Sequence, residues 1–276
     1  MLSIITPVYN SERFIAACIE AVVEQHCADL EHIIIDGNSA DRTVQIIRQY
    51  ADRYPHIRWR SEPDRGQSDA MNKGIAMARG TVMGVLNVDD AYEPNVLNKV
   101  VDRFQTLPEP TLLVGNCNIW DDAGRLVEVN KPSKLELFDL VMGVNMHPYP
   151  CNPAAYFYHT SLHQKIGYYL LDDHYSMDLD FILKAVQSAT VVYVDQTWGN
   201  YRRLEGTKTV NDMQKGHMNQ RVSLLLKRYR KDLPLLQQMQ LSLRDRWATV
   251  TYFLKRPQAL PDAIKTKLFK LSPEAR

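Results

Sequence analysis

The first 110 residues repeat one pattern, in which a short apolar segment rich in β-branched residues precedes a segment with apolar residues on one helical face. Strands that alternate with helices can pair in parallel, because each helix carries the chain back to the edge where the previous strand began. We therefore predict an α/β fold with a mostly parallel sheet and helices on both faces. The predicted strands are Leu2–Val8, His32–Asp36, Ile57–Ser61 and Thr81–Asn87.

The pattern changes after Thr111. Two β-rich segments, Leu112–Trp120 and Arg125–Val129, flank the turn-forming sequence Asp121-Asp122-Ala123-Gly124 and predict a β-hairpin. A small antiparallel element is therefore expected in the second half of the domain.

Two helical patterns separated at Pro234 predict a helical C-terminal tail. We divide the chain into residues 1–110 and 111–207, as two halves of one domain, and residues 208–276, as a helical extension. The extension is also basic.

Charge is distributed unevenly along the chain. Residues 1–201 contain 16 Lys and Arg against 26 Asp and Glu, whereas residues 202–276 contain 17 against 6. A basic helical tail that also carries apolar residues is suited to an anionic membrane surface. The alternatives are that its helices pack on the acidic domain or form a homodimer.

The chain shows no sign of a disulfide framework or a membrane span. Its four cysteines are scattered without CxxC spacing, so neither a zinc site nor a set of disulfides is indicated. No segment approaches the roughly 18 to 20 apolar residues that a membrane span needs. We expect a cytoplasmic protein, which the basic tail could hold against the inner face of the cell membrane.

The segment Gly80–Asp90, GTVMGVLNVDD, places two adjacent carboxylates directly after an apolar strand. Ligands of open α/β sheets bind outside the carboxyl ends of the strands, near the point where strand order reverses. Hard cations such as Mg²⁺ are held there by one or two carboxylates together with phosphate oxygens and water. Asp89 and Asp90 are thus candidate metal ligands, unless they only open a turn and cap the next helix.

Four motifs stand out in the first ninety or so residues: TPVYN at Thr6–Asn10, IDGNSADRT at Ile35–Thr43, SEPDRGQSDAMNKGIAMARG at Ser61–Gly80 and LNVDD at Leu86–Asp90. In their order and spacing they resemble the family 2 glycosyltransferases, and the resemblance continues more weakly to about Arg203. It implies a GT-A fold, a nucleotide-sugar donor, Mn²⁺ or Mg²⁺, and a single displacement that inverts the anomeric carbon of the sugar. Residues 1–110 would then be the nucleotide-sugar-binding half of the domain and residues 111–207 the acceptor-binding half.

The resemblance also implies roles for residues that bind the donor. Asn87 stands at the first position of the D-x-D motif, where it can hydrogen-bond a ribose hydroxyl but brings no charge. Gly37 stands where many relatives carry a second acid, which leaves the identity of the nucleobase open. The implied donor site comprises Thr6, Pro7 and Tyr9 at the nucleotide pocket, Asp36 at the base or ribose, Arg65 near the nucleotide, Asn87, and Asp89 at the metal.

The acceptor side is implied by SMDLDFILKA, which resembles the acidic motif of the family. An acceptor hydroxyl needs a general base to remove its proton. By the resemblance Asp178 is that base, with Asp180 as the second candidate, although either acid could only cap a helix. His147 and Asn152 fall in a loop that relatives place near the donor sugar or acceptor.

The basic segment Tyr201-Arg202-Arg203, followed by Glu205-Gly206-Thr207, resembles a loop that can close over the diphosphate. Arg202 would then stabilise the charge of the leaving group. The alternative is a basic turn on the surface.

Several function classes are alternatives for a chain of this kind. The preferred one is a glycosyltransferase that acts on a hydroxyl of a glycan or lipid-linked acceptor, as in polysaccharide biosynthesis. A nucleotidyltransferase would carry a Gly-rich basic phosphate loop after the first strand, and TPVYNSERF lacks one. A dinucleotide-binding dehydrogenase would carry a GxGxxG motif after the first strand, and this motif is absent there. A non-catalytic nucleotide-sugar-binding protein would be expected to lack Asp89 or the acceptor acid. We expect no nucleic acid among the partners.

Overall fold

The computed structural model describes residues 1–143, 148–171, 176–207, 210–212 and 217–255. Contacts divide the chain into two compact units, Met1–Tyr229 and Arg230–Arg276. The division therefore falls later than residue 208, the boundary expected from the sequence, and leaves one of the two predicted tail helices in the first unit.

Within the described ranges, nine strands form one sheet in the order β3-β2-β1-β4-β8-β6-β9-β5, and β7 pairs with β6 in addition. The strands are β1 (Leu2–Val8), β2 (Leu30–Asp36), β3 (Ile57–Ser61), β4 (Val82–Val85), β5 (Ala91–Tyr92), β6 (Thr111–Trp120), β7 (Leu126–Asn130), β8 (Tyr156–His159) and β9 (Thr190–Arg202).

Helices connect most of these strands. They are α1 (Ile15–Val23), α2 (Thr43–Ala51), α3 (Gln67–Met77), α4 (Val96–Phe104), α5 (Leu137–Val141), α6 (Leu162–Ile166), α7 (Met177–Ser188), α8 (His217–Tyr229) and α9 (Leu235–Lys255), with short 3-10 turns at Pro153–Ala155 and Arg230–Asp232.

Strands β1 to β4 form the parallel half of the sheet, as the alternating pattern predicted. Every residue of β1 and β2 is buried, because helices cover both faces. On one face Cys18 of α1 belongs to the same core cluster as Ile4. On the other face α3 approaches Ile5, the next residue along the strand, so closely that a methyl at Gly74 would lie 2.5 Å from Ile5 Cγ2.

The antiparallel element is also confirmed. β8 runs antiparallel to β4 and β6, and β6 forms the predicted hairpin with β7. Two further strands complete the sheet. β9 runs parallel to β6 as far as Arg202, through shifts of register near Asn116. The two-residue strand β5, which pairs with β9, carries too short a pattern to be recognised in the sequence.

Strand order reverses between β1 and β4, which marks the expected ligand crevice. The carboxyl ends of β1, β2, β3 and β4 therefore meet along one edge. None of the helices in the described part of the chain is long and apolar enough to cross a membrane.

Candidate active site

A cleft of about 760 Å³ opens at the carboxyl ends of the parallel strands. It is lined by residues at or after the carboxyl ends of β1, β2, β3, β4 and β9. Its lining includes Pro7, Val8, Tyr9, Ser11, Gly37, Asn38, Pro63, Asp64, Gly66, Gln67, Asn87, Val88, Asp89, Tyr201 and Thr207.

Asp89 faces this cleft from the loop that follows β4. Its side chain is half-buried, and burial raises the pKa of the carboxyl above its usual range although the nearby Arg202 guanidinium opposes the shift. A desolvated carboxylate at the end of a cleft is stabilised by a cation. The surroundings of Asp89 therefore suit a divalent metal or another positive group.

Asp90 is directed into the protein. Its Oδ2 accepts hydrogen bonds from Asn152 Nδ2 at 2.7 Å and Asn87 Nδ2 at 3.0 Å, and its Oδ1 accepts from the Arg202 backbone N–H at 3.3 Å. Burial, and then the charge of neighbouring Asp89, raise the pKa of Asp90. Both oxygens are thus engaged by protein donors, and the residue joins three segments of the chain.

Asn87 lines the cleft between these groups. Its Nδ2 donates to Asp90, and its Oδ1 accepts from Gln67 Nε2 at 3.1 Å. Gln67 is the first residue of α3 and belongs to the SEPDRGQ stretch, but no local pattern distinguishes it as a residue of the site. The side chain of Asn87 is therefore held from both sides.

The residues at the end of β1 divide into two groups. Pro7 and Tyr9 line the cleft, and Tyr9 is exposed. Thr6 is fully buried instead, and its hydroxyl shares a hydrogen bond of 2.9 Å with His32 Nε2. Thr6 thus supports the strand without lining the cleft, contrary to its expected place in the pocket.

Asp36 is also fully buried and is absent from the cleft lining. One of its oxygens accepts from the hydroxyl of Ser39, and the other accepts from Ser61 Oγ at 2.6 Å and from the Ser39 backbone N–H. Its carboxylate is therefore occupied by serine donors. Arg65 is exposed, and its backbone N–H donates to Asp69 at 3.1 Å, which fixes the turn before α3.

The two candidate bases have different surroundings at the start of α7. Asp180 is buried, accepts from the Tyr229 hydroxyl at 2.7 Å and forms an ion pair with Lys184 at 2.6 Å. Asp178 is only half-buried. Burial above all, with Cys151 and Asp178 adding to it, raises the pKa of Tyr149 to about 12. Asp178 therefore lies near residues 149–151, the segment that leads into Asn152.

Of the two loop residues, Asn152 belongs to the network around Asp90. Its Oδ1 also accepts from the Ala154 backbone N–H at 2.8 Å and caps a 3-10 turn. His147 lies outside the described residues. Asp64 and Gln67 line the cleft but were not expected there from the sequence, although both belong to a stretch that carried the family resemblance.

The resemblance implies a divalent metal, and the residues of the cleft could supply part of its ligands. No cluster of three or more His, Cys, Asp and Glu that could hold an ion occurs in the described parts of the chain. Asp89 alone offers a carboxylate to the cleft from the LNVDD motif, so the remaining ligands would come from a diphosphate and water, as is common for Mg²⁺. The residues therefore fit a metal that arrives with its nucleotide.

Comparison with known proteins gives several relatives. Residues 3–139 match the family described as glycosyl transferase family 2. The chain is 30% identical over 213 residues to the PGL/p-HBAD biosynthesis glycosyltransferase of Mycobacterium tuberculosis, covering 75% of this chain and 78% of that protein. It is 32% identical over 105 residues to chondroitin synthase of Escherichia coli, covering 38% of this chain but only 15% of that protein.

Solved structures share the fold at low sequence identity. S. aureus TarS 1-349 in complex with UDP-GlcNAc superposes with a TM-score of 0.62 at 19% identity, over 76% of this chain and 60% of that one. Mannosyltransferase PcManGT from Pyrobaculum calidifontis, in complex with GDP-Man and Mn²⁺, gives 0.53 at 14% identity, over 93% and 81%. The mixed sheet flanked by helices is that of a GT-A fold, and the chain belongs to glycosyl transferase family 2.

Proposed function

We propose that this protein is a metal-dependent, inverting glycosyltransferase that moves a sugar from a nucleotide-diphospho-sugar to a hydroxyl of a glycan or lipid-linked acceptor. The observation that carries the proposal is the position of Asp89 in a cleft of about 760 Å³ at the point where strand order reverses. The nucleotide sugars bound to TarS and PcManGT support the class of donor.

Asp89 would hold the metal, and Asp90 would fix the loop that presents Asp89. Both oxygens of Asp90 accept from protein donors, so a direct metal bond would cost those hydrogen bonds. When bound, a divalent metal neutralises the charge that develops on the diphosphate. The guanidinium of Arg202, which is close enough to Asp89 to affect its pKa, would add positive charge at the same place.

The acceptor would be activated by Asp178. The acceptor hydroxyl gives its proton to this carboxylate, its oxygen attacks the anomeric carbon, and the bond from that carbon to the phosphate oxygen breaks with its electron pair on the diphosphate. Attack from the face opposite the leaving group inverts the configuration. We prefer Asp178 to Asp180 because the resemblance of SMDLDFILKA to the acidic motif of the family implies that Asp178 is the base.

The test combines a donor panel with one substitution. UDP-, GDP- and dTDP-sugars are screened with Mn²⁺ for thermal stabilisation and for transfer, and the active donor is then given to Asp89→Asn. We expect the variant to fold but to lose nearly all transfer, as the wild type does in excess chelator. Asp102→Asn, an exposed acid on α4, should keep full activity. Full activity of Asp89→Asn, or turnover that persists in chelator, would contradict the metal assignment.

We further propose that the second unit attaches the enzyme to the inner face of an anionic membrane. Residues 230–276 contain ten Lys and Arg against four Asp and Glu. On α9, apolar side chains four residues apart are exposed, with Leu235 77% and Trp247 66% accessible. Such a helix lies in a membrane interface through its apolar face, while basic residues contact anionic lipids. This stripe comprises Leu235, Met239, Leu243 and Trp247, and the adjacent Leu236 is exposed as well.

A further inference from the structure

The donor cleft contains an acid that no motif singled out, in the space beside Gly37. A Cβ atom built at Gly37 would lie 2.5 Å from Asp64 Oδ2 and 3.1 Å from its Cγ. Both residues line the cleft. The carboxylate of Asp64, from the loop after β3, therefore fills the space that a side chain at position 37 would take. A side chain at position 37 would force Asp64 to move.

Asp64 is anchored through one oxygen only. Its Oδ1 accepts from the Gly66 backbone N–H at 2.8 Å, in a turn where Gly66 has a φ of 104°, which favours glycine. On the other side, the Gly37 N–H donates to the Val8 carbonyl at 2.9 Å and fixes the backbone that Asp64 faces. No donor among the described residues contacts Asp64 Oδ2. That oxygen is therefore available to a ligand.

Asp36 cannot take this role in the observed arrangement. Its carboxylate is fully buried and accepts from Ser39 and Ser61, so reaching a ligand would break those bonds. Along the part of the cleft built by β2 and β3, Asp64 is the carboxylate that lines the surface.

The strand order sets the distance from this acid to the metal-binding end. β1 lies between β2 and β4, and β3 lies beyond β2. Because neighbouring strands are about 4.8 Å apart, the ends of β2 and β3 lie roughly 10 to 14 Å from the end of β4. With a diphosphate at Asp89, which rests on the proposed function, the nucleoside extends towards Asp64.

We propose that Asp64 reads the nucleobase, by accepting a hydrogen bond from the ring N–H of a lactam base: uracil, thymine or guanine. A carboxylate is acceptor-only when ionised, so it pairs with a donor and opposes another acceptor. Uracil N3 and guanine N1 carry hydrogens, whereas the same ring positions of cytosine and adenine are bare acceptors. The site therefore selects UDP over CDP, or GDP over ADP.

The test measures calorimetric Kd values of UDP, CDP, GDP and ADP. Asp64→Asn keeps an oxygen for the Gly66 N–H and changes the free oxygen to an amide, so its fold should be unaffected. We expect the Kd of the preferred nucleotide to rise about tenfold or more, since a hydrogen bond to a charged group is lost. The preference over the matched base should disappear at the same time. Unchanged Kd values and preference in this variant would overturn the proposal.

Two further variants test position as well as charge. Gly37→Ala keeps the acid but places a methyl in its space, and should weaken binding as Asp64→Asn does. Gly37→Asp combined with Asp64→Gly moves the acid to the facing loop, and should bind the preferred nucleotide better than Asp64→Gly alone. Asp121→Asn, in the β6–β7 turn, is the control and should bind as the wild type does. Gly37→Ala with wild-type affinity would contradict the assignment.

Binding of 2′-deoxy-UDP shows whether Asp64 contacts the base or the ribose. If Asp64→Asn lost affinity for UDP but not for 2′-deoxy-UDP, the acid would bind the ribose and the base assignment would be wrong. The outcomes also separate this proposal from the proposed function. Base preference that depends on Asp64 without transfer from any donor would refute the activity alone. Transfer with base preference intact in Asp64→Asn would refute only the role of Asp64.

Discussion

Neighbouring acids in this protein differ in role because their oxygens meet different donors. Asp89 faces the cleft, while both oxygens of Asp90 accept from protein N–H groups. The same contrast separates Asp64, with one oxygen open, from Asp36, which serine donors occupy. At the scale of single residues, the direction of a carboxylate decides its chemistry more than its place in a motif.

The two acids at the start of α7 give a matched pair of variants. If Asp178 is the general base, Asp178→Asn should lower kcat by about 10²- to 10⁴-fold and leave the KM for the donor nearly unchanged. Steady-state kinetics with the identified donor measure both constants. Asp180→Asn should instead lower the unfolding free energy by roughly 1 to 3 kcal/mol, because Tyr229 and Lys184 lose a buried partner. A reversed pattern would assign the base to Asp180, and a product with the donor's anomeric configuration would exclude a single displacement.

His32 makes stability depend on pH. Burial in β2, with a smaller effect of His56, lowers the pKa of its imidazole to about 3, whereas an unfolded histidine titrates near 6.5. The unfolded chain therefore binds more protons below about pH 6.5, and stability falls as pH drops from there towards 3. Between pH 7 and pH 5, His32 alone should lower the unfolding free energy by about 2 kcal/mol.

Urea unfolding at pH 7 and pH 5 checks this contribution. His32→Gln should reduce the difference between the two pH values, while the exposed control His26→Gln should keep it. His56, His159 and His163, whose pKa values are also lowered by burial, contribute in the same direction as His32, whereas Asp90, whose pKa is raised by burial, contributes in the opposite direction. An unchanged pH dependence in His32→Gln would rule out its contribution.

At the scale of elements, the contact of α3 with β1 depends on a glycine. Gly74→Ala should gain about 1 kcal/mol of helix propensity but lose about 1 to 3 kcal/mol to crowding, because the new methyl would lie 2.5 Å from Ile5 Cγ2. Ile5 is β-branched and has little freedom to turn away. We therefore expect a net decrease in unfolding free energy by urea titration.

A double-mutant cycle identifies the cause. In the background of Ile5→Ala the methyl would meet no clash, so Gly74→Ala should be neutral or stabilising there. Equal destabilisation in both backgrounds would show that the loss does not come from this contact.

The elements themselves were largely predictable from the sequence, whereas the side chains of the site were only partly so. The alternation of strands and helices indicated β1 to β4, and the end of β4 indicated Asp89. The residues Thr6 and Asp36 were expected in the pocket, but their hydroxyl and carboxylate turn to His32 and to serines. His32 and Ser61 lie on neighbouring strands, so the local pattern carries no signal for these partners, whereas Ser39 is only three residues from Asp36. The turn of Asp64 towards Gly37 has the same long-range origin.

At the level of the whole chain, the proposed membrane attachment of the second unit can be tested separately from the proposed activity of the first. If α9 lies on anionic lipid, the full chain should float with phosphatidylserine vesicles at low salt and less so at high salt, since basic residues near the surface contribute on the order of 1 kcal/mol each. Leu243→Ser with Trp247→Ser should reduce flotation. Leu224→Ser, an exposed leucine of α8, is the matched control.

Two results would contradict the membrane proposal. Failure of the full chain to bind anionic vesicles at low salt would reject it directly. Self-association that Leu243→Ser with Trp247→Ser abolishes, without vesicle binding, would assign the stripe to a second copy of the chain.

The hydrogen bonds around Asp90 also determine when, during synthesis and folding, the loop with Asp89 can become fixed. They join Asn87 to Gln67, Asp90 to Asn152 and Asp90 to Arg202, the last across 112 positions of sequence. Contacts between distant positions form slowly, since each closes a long loop. While the chain emerges from the ribosome, the parallel strands can pair long before Arg202 exists. The loop that carries Asp89 is therefore fixed only after nearly the whole first unit has been synthesised, and an incomplete nascent chain would expose strands without yet holding a nucleotide sugar.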